Sequence, residues 1–241
     1  MNSMKTIGML GGFGPQATMD FEARVHRVAE GLVSAHRNEG YPPMVSWYCR
    51  HPPFLLGADG LPQLPRRLEA GLAEAATRLG ALVDFVCIPS NGVHMLAGEI
   101  EQAAGRPVLS IIETTLAEVR RRGWKRVGVL GLREPVIYTR PLHRLSIDCQ
   151  ILDASSRRAL DHAIFRTMEG RGSDAPYTAA ARVAVAKLRG RNIDGIILGC
   201  TELPILLGQG GGQRRRRPDQ PDATARRASG ELCDQRQSCP D

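Results

Sequence analysis

The sequence predicts an α/β protein built as two pseudo-symmetric lobes, each a doubly wound parallel sheet, and two observations predict it. Strand-like and helical segments alternate along the 241 residues at the interval expected of βαβ units. Two motifs also recur in the same order. Lys125-Arg-Val-Gly-Val-Leu-Gly131 echoes Lys5-Thr-Ile-Gly-Met-Leu-Gly11, and Asp194-Gly-Ile-Ile-Leu-Gly-Cys200-Thr201 echoes Asp84-Phe-Val-Cys-Ile-Pro-Ser90-Asn91. Buried parallel strands share a vocabulary of Val, Ile and Gly, so chance matching is the alternative. The same order in both halves, with the second motif 79 residues behind the first in one and 69 in the other, points to an internal duplication.

The elements follow in order. Lys5–Leu10 is an apolar run that reads as a buried strand, and Gly11, Gly12, Gly14 and Pro15 supply the turn after it. Ala17–Leu32 has helical spacing. Met44–Tyr48 is the second strand, and Arg66–Leu79 is a helix with alanines and leucines on one face. Asp84–Ile88 is a continuous apolar strand ending in Pro89-Ser90-Asn91-Gly92. A helix from about His94 to Ala103, a strand Pro107–Ile112 and a helix Glu113–Arg122 complete the first round. The expected lobes are residues 1–116 and 117–207, followed by an atypical basic tail at 208–241.

Composition narrows the function classes. Apolar residues at 42% exclude global disorder, and no stretch approaches the 18 apolar residues of a membrane-spanning helix. The net charge is +7, but residues 209–241 hold seven arginines against five acids, four of the arginines in the run Arg214–Arg217. The other basic side chains are scattered and aromatic residues make up 5%, so the concentrated basic face of a nucleic-acid binder is missing. That tail contains no Val, Ile, Met, Phe, Trp or Tyr and is expected to stay disordered, apart from a frayed helix over Ala223–Cys233. Six cysteines without a CxxC pair suit a reducing cytoplasm rather than a disulfide framework, and Cys87 with His94 makes no metal-ligand set. No metal and no membrane partner are expected.

In open α/β sheets, ligands bind beyond the carboxyl ends of the strands. Ser90 and Cys200 occupy equivalent places there, each just past its strand. If a pseudo-twofold axis relates the lobes, these side chains approach one cleft from opposite sides. That geometry suits removal of a proton from one face of a carbon and its replacement on the other. A thiol serves as base when its thiolate is stabilised, and backbone N–H groups at a helix start beside Cys200 would do that. Cys49, Cys87 and Cys149 read as packing residues. Arg50, after the second strand, either reaches the cleft or is a solvated surface arginine. The turn around Gly12 presents amides at a helix start, a cradle for an anion. His94 is placed to orient the Ser90 loop rather than to act as a base.

Ile7-Gly-Met-Leu-Gly-Gly-Phe-Gly-Pro-Gln-Ala-Thr18, Pro89-Ser-Asn-Gly-Val-His94 and Gly199-Cys-Thr-Glu-Leu-Pro204 together resemble the signatures of the aspartate/glutamate racemase family, over about residues 4–207. The resemblance implies two α/β lobes with the active site between them, a homodimer, and no pyridoxal phosphate, metal or other cofactor. It implies a 1,1-proton transfer at the α-carbon of an acidic amino acid or dicarboxylate, with one cysteine from each lobe. Cys200 then matches the second-lobe catalytic cysteine, Thr201 a neighbour that holds a substrate carboxylate, and Asn91 the first-lobe residue that holds the other end. Ser90 stands where the first cysteine would be, and a hydroxyl is a far weaker acid than a thiol. Gly92 replaces the motif's threonine while keeping its place in the substrate loop. Leu132-Arg133 departs from the threonine usual after the second glycine-ended strand. The final strand and helix of the family have no counterpart in the character of the sequence after Leu207.

Other readings remain beside this one. A single-cysteine decarboxylase of malonate-type acids, or an inactive binding or regulatory member, fits the loss of the first cysteine. Gly12-Phe-Gly14-Pro-Gln-Ala17 fits a GxGxxA dinucleotide fingerprint, but Pro15 removes an N–H from the phosphate-facing turn and no ribose-binding acid ends the second strand. A serine hydrolase centred on Ser90 lacks a GxSxG elbow.

Overall fold

The computed structural model describes residues 4–32, 40–55, 66–171 and 174–208. The first sheet is all parallel, with β1 (Ile7–Gly11) flanked by β2 (Met44–Tyr48) and β3 (Phe85–Cys87), and with β4 (Val108–Leu109) beyond β3. The second repeats the centre of that order, β5 (Arg126–Leu130) lying between β6 (Asp148–Gln150) and β7 (Gly195–Leu198), again all parallel. The duplication is therefore spatial as well as sequential.

The echoed aspartates explain part of it. Asp84 accepts the Thr6 N–H at 2.6 Å, and Asp194 accepts the N–H groups of Lys125 and Arg126 at 2.6 and 2.9 Å. Each carboxylate thus ties the start of its lobe's third strand to the start of the central one. These backbone donors hold the Asp194 carboxyl below its usual range.

Helices cover the sheets. In the first lobe α1 (Pro15–Leu32) follows β1, α2 (Ala70–Gly80) follows β2, and a 3-10 turn (Gly92–Leu96) leads from β3 into α3 (Ala97–Ala104). Leu10, Val86 and Ile88 pack with Leu72, Ala76, Leu79 and Ile100 in one buried cluster. In the second lobe α4 (Ile111–Arg121) and α5 (Val136–Arg144) bury Ile112, Val119, Tyr138 and Leu142 against Val127, Val129 and Ile197. On the other face α6 (Ala154–Met168), α7 (Ala175–Arg189) and α8 (Leu203–Leu206) enclose Leu130, Leu160, Ile164, Leu188 and Leu203. Position 116/117, where the sequence sets the lobe boundary, falls inside α4, which joins the two sheets.

Several boundaries moved for identifiable reasons. The second helix starts at Ala70 rather than Arg66 because the Glu69 carboxylate caps it, accepting the Leu72 N–H, while Leu68 bridges to Phe54. The strand expected over Pro107–Ile112 stops at Leu109 because Ser110 caps α4 through the Glu113 N–H. The tail expected from 208 onward, including Ala223–Cys233, lies outside the described residues except for Gly208.

Gly80 closes α2 against the end of α3: a Cβ there would lie 1.9 Å from the Ala104 carbonyl oxygen. Backbone cannot retreat as a side-chain tip can. Gly80→Ala is expected to cost about 1–3 kcal/mol of unfolding free energy, measured by urea denaturation, whereas Gly98→Ala, with open space around its Cβ, should cost far less.

Candidate active site

In each sheet the chain leaves the central strand in opposite directions, so a crevice opens at the carboxyl ends of the two strands flanking the reversal. In the first lobe that crevice receives Gly12 after β1 and Ser90-Asn91-Gly92 after β3. In the second it receives Gly199-Cys200-Thr201 after β7.

Gly12 is held by geometry. Its φ is +90°, and a Cβ would lie 2.6 Å from the Cys49 carbonyl oxygen, so the β1 turn presses directly on the end of β2. The Gly12 N–H donates to the Thr18 hydroxyl at 2.9 Å, which removes that amide from the expected anion cradle. A cavity of about 380 Å³ gathers Gly12, Arg50, Ser90 and Gly92, with Leu132 and Met168 facing them from the second lobe. Arg50 is exposed and its guanidinium sits 5.6 Å from the centre of the Tyr48 ring.

Asn91 and Thr201 belong instead to a neighbouring cavity of about 670 Å³, lined also by Cys87, Tyr138 and the β7 residues Ile196–Leu198. Asn91 is buried, and its Oδ1 accepts the Tyr138 hydroxyl at 2.5 Å. Tyr138, 1% exposed on α5, packs against the backbone of Gly199, so this bond joins the lobes beside Cys200. Burial, opposed by a Thr115 side-chain hydrogen bond, raises the Tyr138 phenol above its usual range. Sequence reasoning missed Tyr138, because nothing in Val136-Ile-Tyr-Thr139 marks the ring as buried at a lobe boundary.

Cys200 lines neither cavity; it packs against the second-lobe core to which Leu132 and Met168 also belong. Its Sγ donates to Glu202 Oε2 at 2.9 Å. Burial first, then the Glu202 charge and this hydrogen bond, push the thiol well above its usual value, outweighing a backbone hydrogen bond from Glu202 that works the other way. The expected stabilisation of a thiolate at a helix start is thus overruled, since α8 has only four residues and a carboxylate stands next to the sulfur. Cys87 and Cys149 are pushed up to about 11, chiefly by burial, in keeping with packing roles.

His94 orients the Ser90 loop as expected. Its Nδ1 lies 2.8 Å from the Ser90 carbonyl oxygen and its Nε2 3.1 Å from the Ile111 N–H, which fixes a neutral ring with the proton on Nδ1. Among the described residues, no group of three or more His, Cys, Asp or Glu is arranged to hold a metal ion, and no helix is long and apolar enough to cross a membrane.

Residues 10–210 match the family described as Asp/Glu/Hydantoin racemase. The chain belongs to this family. It is 34% identical over 132 residues to the broad specificity amino-acid racemase RacX of Bacillus subtilis (strain 168), an alignment spanning 54% of this chain and 56% of RacX. The fold of this racemase-family chain is shared with an aspartate racemase homologue from Pyrococcus horikoshii OT3 (TM-score 0.63, 22% identity, 86% of this chain and 90% of that one). It is shared too with a Picrophilus torridus aspartate racemase (TM-score 0.62, 19% identity, 84% of each chain). A glutamate racemase from Francisella tularensis, in complex with D-glutamate, matches at TM-score 0.57 and 16% identity over 87% of this chain and 73% of that one.

Two outcomes test the geometry. Tyr138→Phe leaves Asn91 Oδ1 buried without its donor and should lower stability by about 1–3 kcal/mol in urea denaturation. Burial holds the His94 imidazole below its ordinary 6.5. The unfolded chain therefore binds the extra proton first, and stability present above pH 6.5 is lost as pH falls below it. Urea midpoints at pH 7.5 and 5.5 should show this drop, and His94→Gln should reduce it.

Proposed function

We propose that this chain is a cofactor-independent, racemase-like enzyme acting on acidic amino acids, aspartate or glutamate, by 1,1-proton transfer at the α-carbon. One observation carries the reading. In a racemase-family chain, Cys200 follows β7 in the same topological place that Ser90 follows β3, at the carboxyl end of the strand beside each sheet's central one. Cys200 is the principal acid or base, and Ser90 is a weakened partner in the position of the first cysteine, moving a proton directly or through water. Gly12, Arg50, Gly92, Asn91 and Thr201 are the substrate-binding set: Arg50 supplies positive charge for a carboxylate, and Asn91 and Thr201 supply amide and hydroxyl groups. RacX is named for broad specificity, so the substrate panel extends to neutral amino acids. The enzyme is read as a cytoplasmic homodimer.

A second reading has its own support. A single thiol that keeps its proton, opposite a serine, suits protonation of one face of a carbanion left when a malonate-type acid loses carbon dioxide.

Incubation of both enantiomers of aspartate and glutamate in deuterated water should exchange the α-hydrogen. Cys200→Ala should abolish exchange, and Ser90→Cys should raise the rate or make the two directions more equal. Failure of either enantiomer of any amino acid to exchange overturns the racemase reading, and carbon dioxide release from an arylmalonate would then select the second.

A further inference from the structure

The cavity beside Ser90 is unevenly furnished. Its volume of about 380 Å³ lies at the small end of ligand sites, which run from about 300 to 1,000 Å³. Among the described residues that line it, Arg50 is the one side chain with a permanent positive charge, and no Asp or Glu is present. His51 lines it too, but its ring lies against α2, where a Cβ on Gly71 would be 2.9 Å from its Cδ2. The Gly12 amide is already taken by the Thr18 hydroxyl, and Asn91 and Thr201 line the neighbouring cavity. Much of the remaining wall is apolar: Phe13 and Phe54 come from the first lobe, Leu132 and Met168 from the second. All four are half-buried. The two phenylalanines pack against the first-lobe core, and Leu132 and Met168 against the second-lobe core. Phe54 is fixed further by its backbone bridge to Leu68 and by the Arg66 guanidinium, 5.9 Å from the centre of its ring.

We propose that Phe54, Leu132 and Met168 form a side-chain pocket that selects neutral amino acids with an aliphatic side chain, of leucine or methionine size, over aspartate and glutamate. The proposal rests on the reading of this cleft as a site of α-proton transfer, and it names the side chains that the site accepts. A neutral amino acid brings one carboxylate, and Arg50 meets it. Aspartate or glutamate brings a second. Against Phe54, Leu132 and Met168 that second carboxylate loses its water without gaining a cation, and burying an unpaired charge is costly. An aliphatic group at the same place is favoured, because its own apolar surface and that of the wall leave water together. The pocket takes Phe54 from the segment after β2, Leu132 from the turn after β5 and Met168 from the last position of α6. Side-chain choice is therefore set across the lobe boundary, apart from the groups that follow β3 and β7.

Binding is tested apart from turnover. Calorimetric titration of the intact protein with both enantiomers of leucine, methionine, aspartate and glutamate should show the aliphatic pair bound at least about tenfold more tightly. Exchange of the α-hydrogen in deuterated water should follow the same order in kcat/KM. Met168→Lys keeps an unbranched chain and puts a cation at the carboxyl end of α6, where positive charge is favoured. It should strengthen aspartate or glutamate binding and weaken leucine binding, reversing the order. Leu132→Ala should weaken leucine binding about tenfold and leave aspartate binding unchanged. Acidic amino acids that bind the wild type as tightly as the aliphatic ones overturn the proposal. An order that neither variant moves overturns it too, as does failure of every amino acid to bind. If Met168→Lys does not fold by circular dichroism, the wild-type order and Leu132→Ala decide. Leucine that binds while no amino acid exchanges its α-hydrogen sinks the racemase reading alone and leaves the pocket standing.

Discussion

The hydrogen bond from Tyr138 to Asn91 is the interaction on which the arrangement of the site depends. Both groups are buried, and a buried hydroxyl and a buried amide oxygen must each find a partner. Asn91 finds its donor where the carboxyl end of β3 meets α5 of the other lobe, whereas Tyr138 also bonds Thr115 of α4. The same closure brings Glu202 against Gly14 and lays the Tyr138 ring on Gly199. Contact between the lobes thus supplies the buried Asn91 oxygen with its donor.

Within that frame the two lobes play unequal parts. The first supplies an accessible cavity with Ser90, Gly92, Gly12 and Arg50 on its walls. The second supplies Cys200, set back against its own core and bonded to a carboxylate. Pseudo-symmetry of the backbone therefore does not extend to the chemistry. Ser90 lines a cavity while the Cys200 thiol is bonded to a carboxylate, so equivalent strand ends differ in desolvation and charge.

Much of the architecture was legible beforehand because it is local. Met44–Tyr48 is legible to the residue, since valine and two aromatic residues between turn residues favour a strand. The echo of Asp84 in Asp194 was visible as a pattern, though its reason, a carboxylate tying the start of one strand to another, appeared only with the hydrogen bonds. The helix starts at Ala70 and Ile111 differ from those that periodicity predicts, because a capping side chain competes with propensity.

The sequence by itself determined the alternation of strands and helices, the duplication, the family signatures and the residue types at the two strand ends. Each follows from short-range rules of periodicity and turn chemistry. Only the tertiary structure decided which groups those residues face. Glu202 stands two positions from Cys200 in the chain, yet its burial and its meeting with Gly14 come from packing the lobes together. Asn91 and Tyr138 are 47 residues apart. The ionisation of a thiol depends on what surrounds it, and that environment is assembled from segments the chain keeps far apart.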